Sequence, residues 1–243
     1  MVQKMRKNKI SLYSLLLLSS FSSIAMEPSQ TNSPIYFEIG TGVSMNSGKE
    51  SNLTDLNSSD SKFKNKSSVP ISASIGYRYS PNLRWDINLT YLPEYNVNLS
   101  GVDSESDKID LKSSVSSLST SINGYYDFHN LAEYGITPYI TAGIGLSINK
   151  TSDSDYYIND LLTAKYSGSS SNNLLWKIGL GAAHKINDNL FIDLSYRFVS
   201  LGQAKSKYGH QLDEDSTFLK ATETLKFKDL YSHQIMLGIG FNF

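Results

Sequence analysis

The sequence predicts an all-β chain, an eight-stranded antiparallel up-and-down transmembrane β-barrel with long extracellular loops and short periplasmic turns. Three observations carry that expectation. Apolar residues alternate with small or polar ones through eight separate segments, the pattern of a sheet with one face toward lipid and the other toward a narrow lumen. The connections alternate between long and short. Finally, basic Lys4, Arg6, Lys7 and Lys9 precede the apolar run Ile10 to Leu18 and a small-x-Ala pattern at Ser23-Ile24-Ala25, which reads as a cleaved export signal over residues 1–25. Residues 26–34 are then an N-terminal periplasmic tail and 35–243 the barrel.

The first segment, Ile35 to Met45, places Ile35, Phe37, Ile39, Val43 and Met45 on one face and Tyr36, Glu38, Gly40, Gly42 and Ser44 on the other. The second, Val69 to Tyr79, and the third, Leu83 to Tyr91, are joined by the tight turn Ser80-Pro81-Asn82. The fourth runs from about Ser114 to Phe128 and the fifth from Ile136 to Asn149, with Pro138 near a strand start, where a missing donor is tolerated. Leu174 to Lys185 turns through Asn187-Asp188-Asn189 into Leu190 to Leu201. The last, His233 to Phe243, carries Ile235, Leu237, Ile239, Phe241 and Phe243 on one face. Four loops (46–68, 92–113, 150–173 and 202–230) therefore alternate with short turns (80–82, 129–135 and 187–189), and both termini fall on the periplasmic side.

Composition narrows the alternatives. With no cysteine the fold cannot rest on disulfides, and after the signal no apolar run is long enough for a spanning helix, so membrane crossing requires a closed barrel. The formal charge of −1 becomes more negative once the four basic residues of the signal are removed, which argues against nucleic acid as a partner. A soluble lipocalin-like barrel is the architectural alternative; it would keep its apolar residues inside.

Thr137-Pro138-Tyr139-Ile140-Thr141-Ala142-Gly143-Ile144-Gly145, Asp193-Leu194-Ser195-Tyr196-Arg197-Phe198 and the closing His233 to Phe243, together with the export signal, resemble the small outer-membrane barrel families: opacity-protein-like surface antigens, the OmpA-type membrane domain and porin-family relatives. The resemblance covers essentially the mature chain. It implies display at the cell surface, often adhesion, and assembly guided by the C-terminal strand, and it supplies no catalytic residues. No peptidoglycan-binding domain is expected after Phe243.

Candidate site residues fall in two groups. Inward-facing Glu38, Arg78, Arg84, Asp86, Asp127, Lys177, Lys185, Asp193 and Arg197 should form an ion-pair network that fills a lumen of this size. Trp85, Trp176, Tyr79, Tyr91, Phe128, Tyr231, Phe241 and Phe243 should form the aromatic girdle at the membrane interfaces. The four histidines, His129, His184, His210 and His233, have no metal-ligand spacing, and Asp213-Glu214-Asp215 reads as a solvated loop face. No metal, cofactor or enzyme activity is expected.

Expected partners are outer-membrane lipid and lipopolysaccharide, the outer-membrane assembly machinery through the C-terminal strand, and a host-surface ligand through the loops. The loops are rich in Ser, Asn, Asp and Lys; the second carries Glu94, Asp103, Glu105, Asp107 and Asp110, and the fourth mixes Lys205, Lys207, Lys220, Lys226 and Lys228 with acids. Loops on a rigid scaffold are where recognition concentrates, so surface binding or adhesion leads, with a narrow gated solute channel or a structural envelope role as alternatives.

Overall fold

The computed structural model describes residues 34–51, 62–65, 67–102, 107–129, 135–212 and 218–243. The segment 1–25 expected to be an export signal, nearly all of the tail expected at 26–34, and Asp213-Glu214-Asp215 lie outside them. Twelve strands are described: β1 (Ile35–Ser51), β2 (Lys62–Asn65), β3 (Ser67–Ser68), β4 (Ile71–Arg78), β5 (Leu83–Val102), β6 (Lys108–Asp127), β7 (Ile136–Thr151), β8 (Ser154–Ile158), β9 (Leu161–Tyr166), β10 (Ser169–Lys185), β11 (Leu190–Leu212) and β12 (Phe218–Asn242).

Eight of them close a ring. Each of β1, β4, β5, β6, β7, β10, β11 and β12 pairs antiparallel with the next, and β12 returns to β1 through the register Tyr36↔Asn242 to Ser47↔Tyr231. Closure leaves no edge with unpaired backbone, the condition for a sheet to sit in hydrocarbon. Along every ring strand a run of large apolar side chains points outward: Ile144 is 67% exposed, Ile122 and Leu180 59%. An outer surface this apolar is costly in water and stable only against lipid.

The short connections are tight. Tyr79 and Ser80 donate to the carbonyl of Leu83, and Ile186 and Asn187 to that of Leu190, while the Asn187 side-chain oxygen accepts from the amides of Asn189 and Leu190. Both described ends of the ring sit at this side, where the Phe243 amide donates to the Ile35 carbonyl.

At the other end the strands run much further than alternation indicates. The segments read as loops at 92–113 and 202–230 are largely the continuations of β5, β6, β11 and β12. The segment 150–173 holds the β8–β9 hairpin, with β8 pairing to β6 where β7 leaves off and β9 pairing to β11. Likewise β2 pairs with β5, and β3 with β1. The ring wall is thus carried upward as continuous sheet. The reason alternation misses it is local: irregularities of register between Leu92 and Tyr95 in β5 and between Ser200 and Ala204 in β11 insert odd residues, and each one exchanges the inward and outward sets. In β5 the buried positions pass from Arg84, Asp86, Asn88, Thr90 and Leu92 to Tyr95, and in β11 from Val199 and Leu201 to Ala204 and Ser206. Gly202, at φ 78°, makes the second irregularity possible, and a Cβ there would strike Asn173 2.5 Å away.

Candidate functional site

The interior has two zones. On the short-turn side it is polar. The Arg84 Nε lies 3.1 Å from both carboxylate oxygens of Asp127, and its Nη1 donates to the Tyr36 hydroxyl at 3.3 Å. Its guanidinium also lies over the rings of Tyr125 and Tyr139, 4.1 and 4.7 Å from their centroids. Arg78 approaches the same Asp127 at 3.5 Å from the mouth. Asp86 accepts from Asn123 and from the Tyr125 hydroxyl, the latter at 2.8 Å; Asp193 accepts from Tyr139 at 2.8 Å. Arg197 reaches Glu38 at 3.8 Å, and the Lys177 ammonium donates to the Asn88 side-chain oxygen at 3.2 Å. Glu38, Arg84, Asp86, Asp127, Lys177, Asp193 and Arg197 are all buried. Glycine makes room for the rings among them: a Cβ on Gly76 would overlap the Tyr36 ring.

One expected member of this network lies elsewhere. Lys185 is exposed and pairs with Asp188 at 2.8 Å across the turn, because it is the last residue of β10 and its stem leaves the barrel. That contact holds the Asp188 carboxyl below the usual range through a hydrogen bond from Lys185. Arg78, Arg84 and Lys185, with Asp127 and Asp188, line a cavity of about 280 Å³ at this mouth.

On the far side the interior turns apolar. Leu92, Tyr95, Leu111, Val115, Leu175, Val199, Leu201, Ala204, Phe227 and Leu230 form a buried cluster with Tyr156 and Tyr166 packed against it. Sequence alternation passed over this cluster because most of its members lie at or beyond the register irregularities. The carbonyls freed by the β11 irregularity are satisfied from the neighbouring strands β7 and β10: Asn149 donates to Leu201 and Gln203 at 2.7 and 2.9 Å, and Asn173 to Gln203 at 2.8 Å. Between the two zones a cavity of about 10 Å³ remains beside Lys177, Leu175 and Leu201.

The outside reverses in step. Around the apolar interior the outward positions are Glu94, Lys112, Lys150, Ser170, Asn172, Lys205, Lys207 and Lys226, instead of Ile and Leu. The aromatic residues bracket the apolar band. At the short-turn end are Tyr79, Trp85, Phe128, Phe241 and Phe243, with Tyr126 against Phe128 at 5.1 Å and Phe241 against Phe243 at 5.4 Å. At the other end are Tyr91, Trp176 and Tyr231, with Phe198 stacked on Tyr231 at 5.4 Å and tilted against Trp176 at 5.5 Å and His233 bonded to the Tyr196 hydroxyl at 2.7 Å. From Tyr231 to Phe241 an extended strand rises ~33 Å at about 3.3 Å per residue, and a tilt of roughly 40° reduces this to ~25 Å, the height of a lipid-facing band.

Beyond the band the wall is held rigidly. Asn159 and Asp160 adopt φ of 49° and 65°, a two-residue turn that matches strand twist, and Leu161 beside them is 73% exposed. The Asn159 amide donates to the Lys108 carbonyl at 2.8 Å, while the Lys108 amide donates to the Asn159 side chain at 2.9 Å. Hydrogen bonds to Asp160 and Asp110 push the Lys108 ammonium pKa up. Lower down, Ser114 and Ser152 both donate to the Glu94 carboxylate and hold it below the usual range.

Comparison with known proteins agrees with this geometry. The family described as outer membrane protein beta-barrel domain matches residues 13–243. Outer membrane protein PagN of Salmonella typhimurium is 34% identical over 139 residues, 56% of this chain and 53% of that protein, so the match spans about half of the relative's length. A candidate adhesin of Rickettsia bellii is 26% identical over 237 residues, 94% of this chain and 98% of that one. Among solved structures, outer membrane protein OprG of Pseudomonas aeruginosa superposes with a TM-score of 0.49 at 15% identity, covering 87% of this chain and 97% of that one.

Proposed function

The chain belongs to the outer membrane protein beta-barrel domain family, and on that premise we propose that it is a surface adhesin whose long-side hairpins bind a partner outside the cell. It resides in the bacterial outer membrane as a barrel surrounded by lipid and is no enzyme. The long-hairpin side faces the exterior in this reading, with the short turns and both ends of the barrel in the periplasm, the export signal over 1–25 removed, and residues 26–34 left as a tail. The C-terminal strand β12 is what the assembly machinery engages.

The observation that carries the reading is the apolar core above the lipid band. Flexible loops lose entropy on binding, whereas hairpins fixed on a packed core present their tips already ordered. The relatives named as adhesins give the same direction. A solute channel is disfavoured because Leu92, Leu175, Val199 and Leu201 close the lumen above a polar zone whose charges are largely paired. The test is attachment of cells carrying the protein with Asn159 to Leu162 replaced by a Gly-Ser turn. Attachment falls if the β8–β9 tip is part of the contact surface; unchanged attachment with this and the other hairpin tips replaced defeats the adhesion reading.

A further inference from the structure

We propose that the mouth at the short-turn end is a binding site for the terminal carboxylate of a short peptide, gripped by Arg78. The site lies at the opposite end of the barrel from the hairpin tips, so this proposal and the adhesion reading can fail separately.

The charges lining the mouth are Arg78, Arg84 and Lys185 against Asp127 and Asp188, with the exposed His129 beside them. Lys185 and Asp188 satisfy each other at 2.8 Å. Two guanidinium groups are then left to share one carboxylate. Arg84 Nε lies 3.1 Å from each oxygen of Asp127, while Arg78 reaches Oδ2 at 3.5 Å and makes no closer ion pair among the described residues. The Arg78 side chain is a third exposed. Its guanidinium carbon lies 5.2 Å from the centroid of the Tyr36 ring and 5.7 Å from that of Phe191, contacts that steady the group without using its N–H donors.

Asp127 is divided between the two arginines at a cost to the inner one. Arg84 is 3% exposed, and its Nη2 has no hydrogen-bond partner among the described residues. A carboxylate free to align with a guanidinium edge engages two N–H groups at once. A ligand carboxylate on Arg78 releases Asp127 to make that second bond to Arg84, so binding at the mouth improves pairing inside.

Size and charge select the ligand. The cavity of about 280 Å³ lies just below the usual range of roughly 300–1,000 Å³ for small-molecule pockets, which suits one or two residues. Ala183 and Phe191 offer an apolar wall for the body of the ligand, and Asn242 a polar group for its peptide link. The cations exceed the carboxylates by one, which matches a monoanion; a phosphate dianion would meet repulsion from Asp127 and Asp188. Arg84, packed over the rings of Tyr125 and Tyr139, closes the inner end, so the peptide docks at a dead end.

The experiment titrates the full-length protein, folded in detergent micelles, with N-acetyl-alanyl-alanine, with its C-terminal amide and with inorganic phosphate, following the arginine Nε–H resonances by NMR. The acid should move the signals of both Arg78 and Arg84. The amide should bind about tenfold more weakly or worse, the loss expected when a charged hydrogen-bond partner is removed, and Arg78→Gln should weaken the acid by a similar factor. Ala183→Phe, which fills the cavity and keeps every charge, should abolish binding. Unboiled gel mobility checks folding, and the comparison of acid with amide on wild type remains decisive if either variant fails to fold. Equal binding of acid and amide overturns the proposal, as does phosphate binding as tight as that of the acid, a bound acid that leaves the Arg78 signal unmoved, or no binding of the acid at millimolar concentration.

Discussion

The two halves of this barrel solve opposite solvation problems with one continuous wall. Where the outside is Ile, Leu and aromatic, the inside is Arg84, Asp127, Asp86, Glu38 and Arg197; where the outside is Lys, Ser and Glu, the inside is Leu111, Val115, Phe227 and Leu230. The lower half is a membrane barrel with a polar core, and the upper half is built like a water-soluble one. The exchange occurs near the belt of Tyr91, Trp176, Phe198 and Tyr231, and irregularities of register in β5 and β11 sit at the same level. Polarity alone thus marks where the lipid ends.

The largest effect should come from the lower half. Arg84→Ala strips the buried Asp127 of its closest partner, and loss of one member of a buried ion pair costs about 3–5 kcal/mol; the urea midpoint of the reconstituted protein should fall accordingly. Arg84→Met combined with Asp127→Leu should cost less than Arg84→Met alone, since the one charge then left without its partner, Arg78, is a third exposed at the mouth. In the upper half Leu111→Ala opens a cavity worth about 2–5 kcal/mol. Its consequence should be regional: protease should cut the long hairpins faster while the lipid-embedded fragments stay protected, because the two cores can open separately.

Gly202→Ala probes the junction between the halves. The positive φ and the contact with Asn173 together should cost about 1–3 kcal/mol, read as faster hydrogen exchange at Leu201 and Gln203 before any change in the band. The smallest effect is on Glu94. Its carboxyl titrates lower folded than unfolded, so its stabilising contribution is present above the ordinary glutamate pKa and is lost as pH falls through the folded value. Acidification should loosen the β5–β6–β7 junction in wild type, and Glu94→Gln should remove that pH dependence; the same acid sensitivity in the variant would place its origin elsewhere.

The sequence disclosed the lower half nearly residue by residue, because a strand with lipid on one side must alternate strictly: Ile235 to Phe243 and Ile35 to Met45 could be assigned to faces directly. It disclosed the upper half poorly. Beyond Pro93 and Gly202 each extra residue moves the apolar positions to the other face, so Tyr95 and Ala204 fall out of phase with Leu92 and Leu201, and a regular strand resembles an irregular polar loop. The inward charges were legible as a set, though not their partners: Asp86 and Asp193 are bonded to Asn123, Tyr125 and Tyr139, neutral groups that a search for opposite charges overlooks. Lys185 misled for the complementary reason, since it has the inward parity but stands at a strand end beside Asp188.

The central claim is that one wall passes from lipid to water at the upper aromatic belt, with its far side outside the cell. The chain has no cysteine, so single cysteines report cleanly. On intact cells a membrane-impermeant maleimide should label Lys150→Cys and Lys205→Cys but not Ile144→Cys or Ile235→Cys, while a fluorophore at the latter two should be quenched from within the lipid. Equal labelling above and below the belt, or labelling of Asp188→Cys in place of Lys150→Cys, would contradict it.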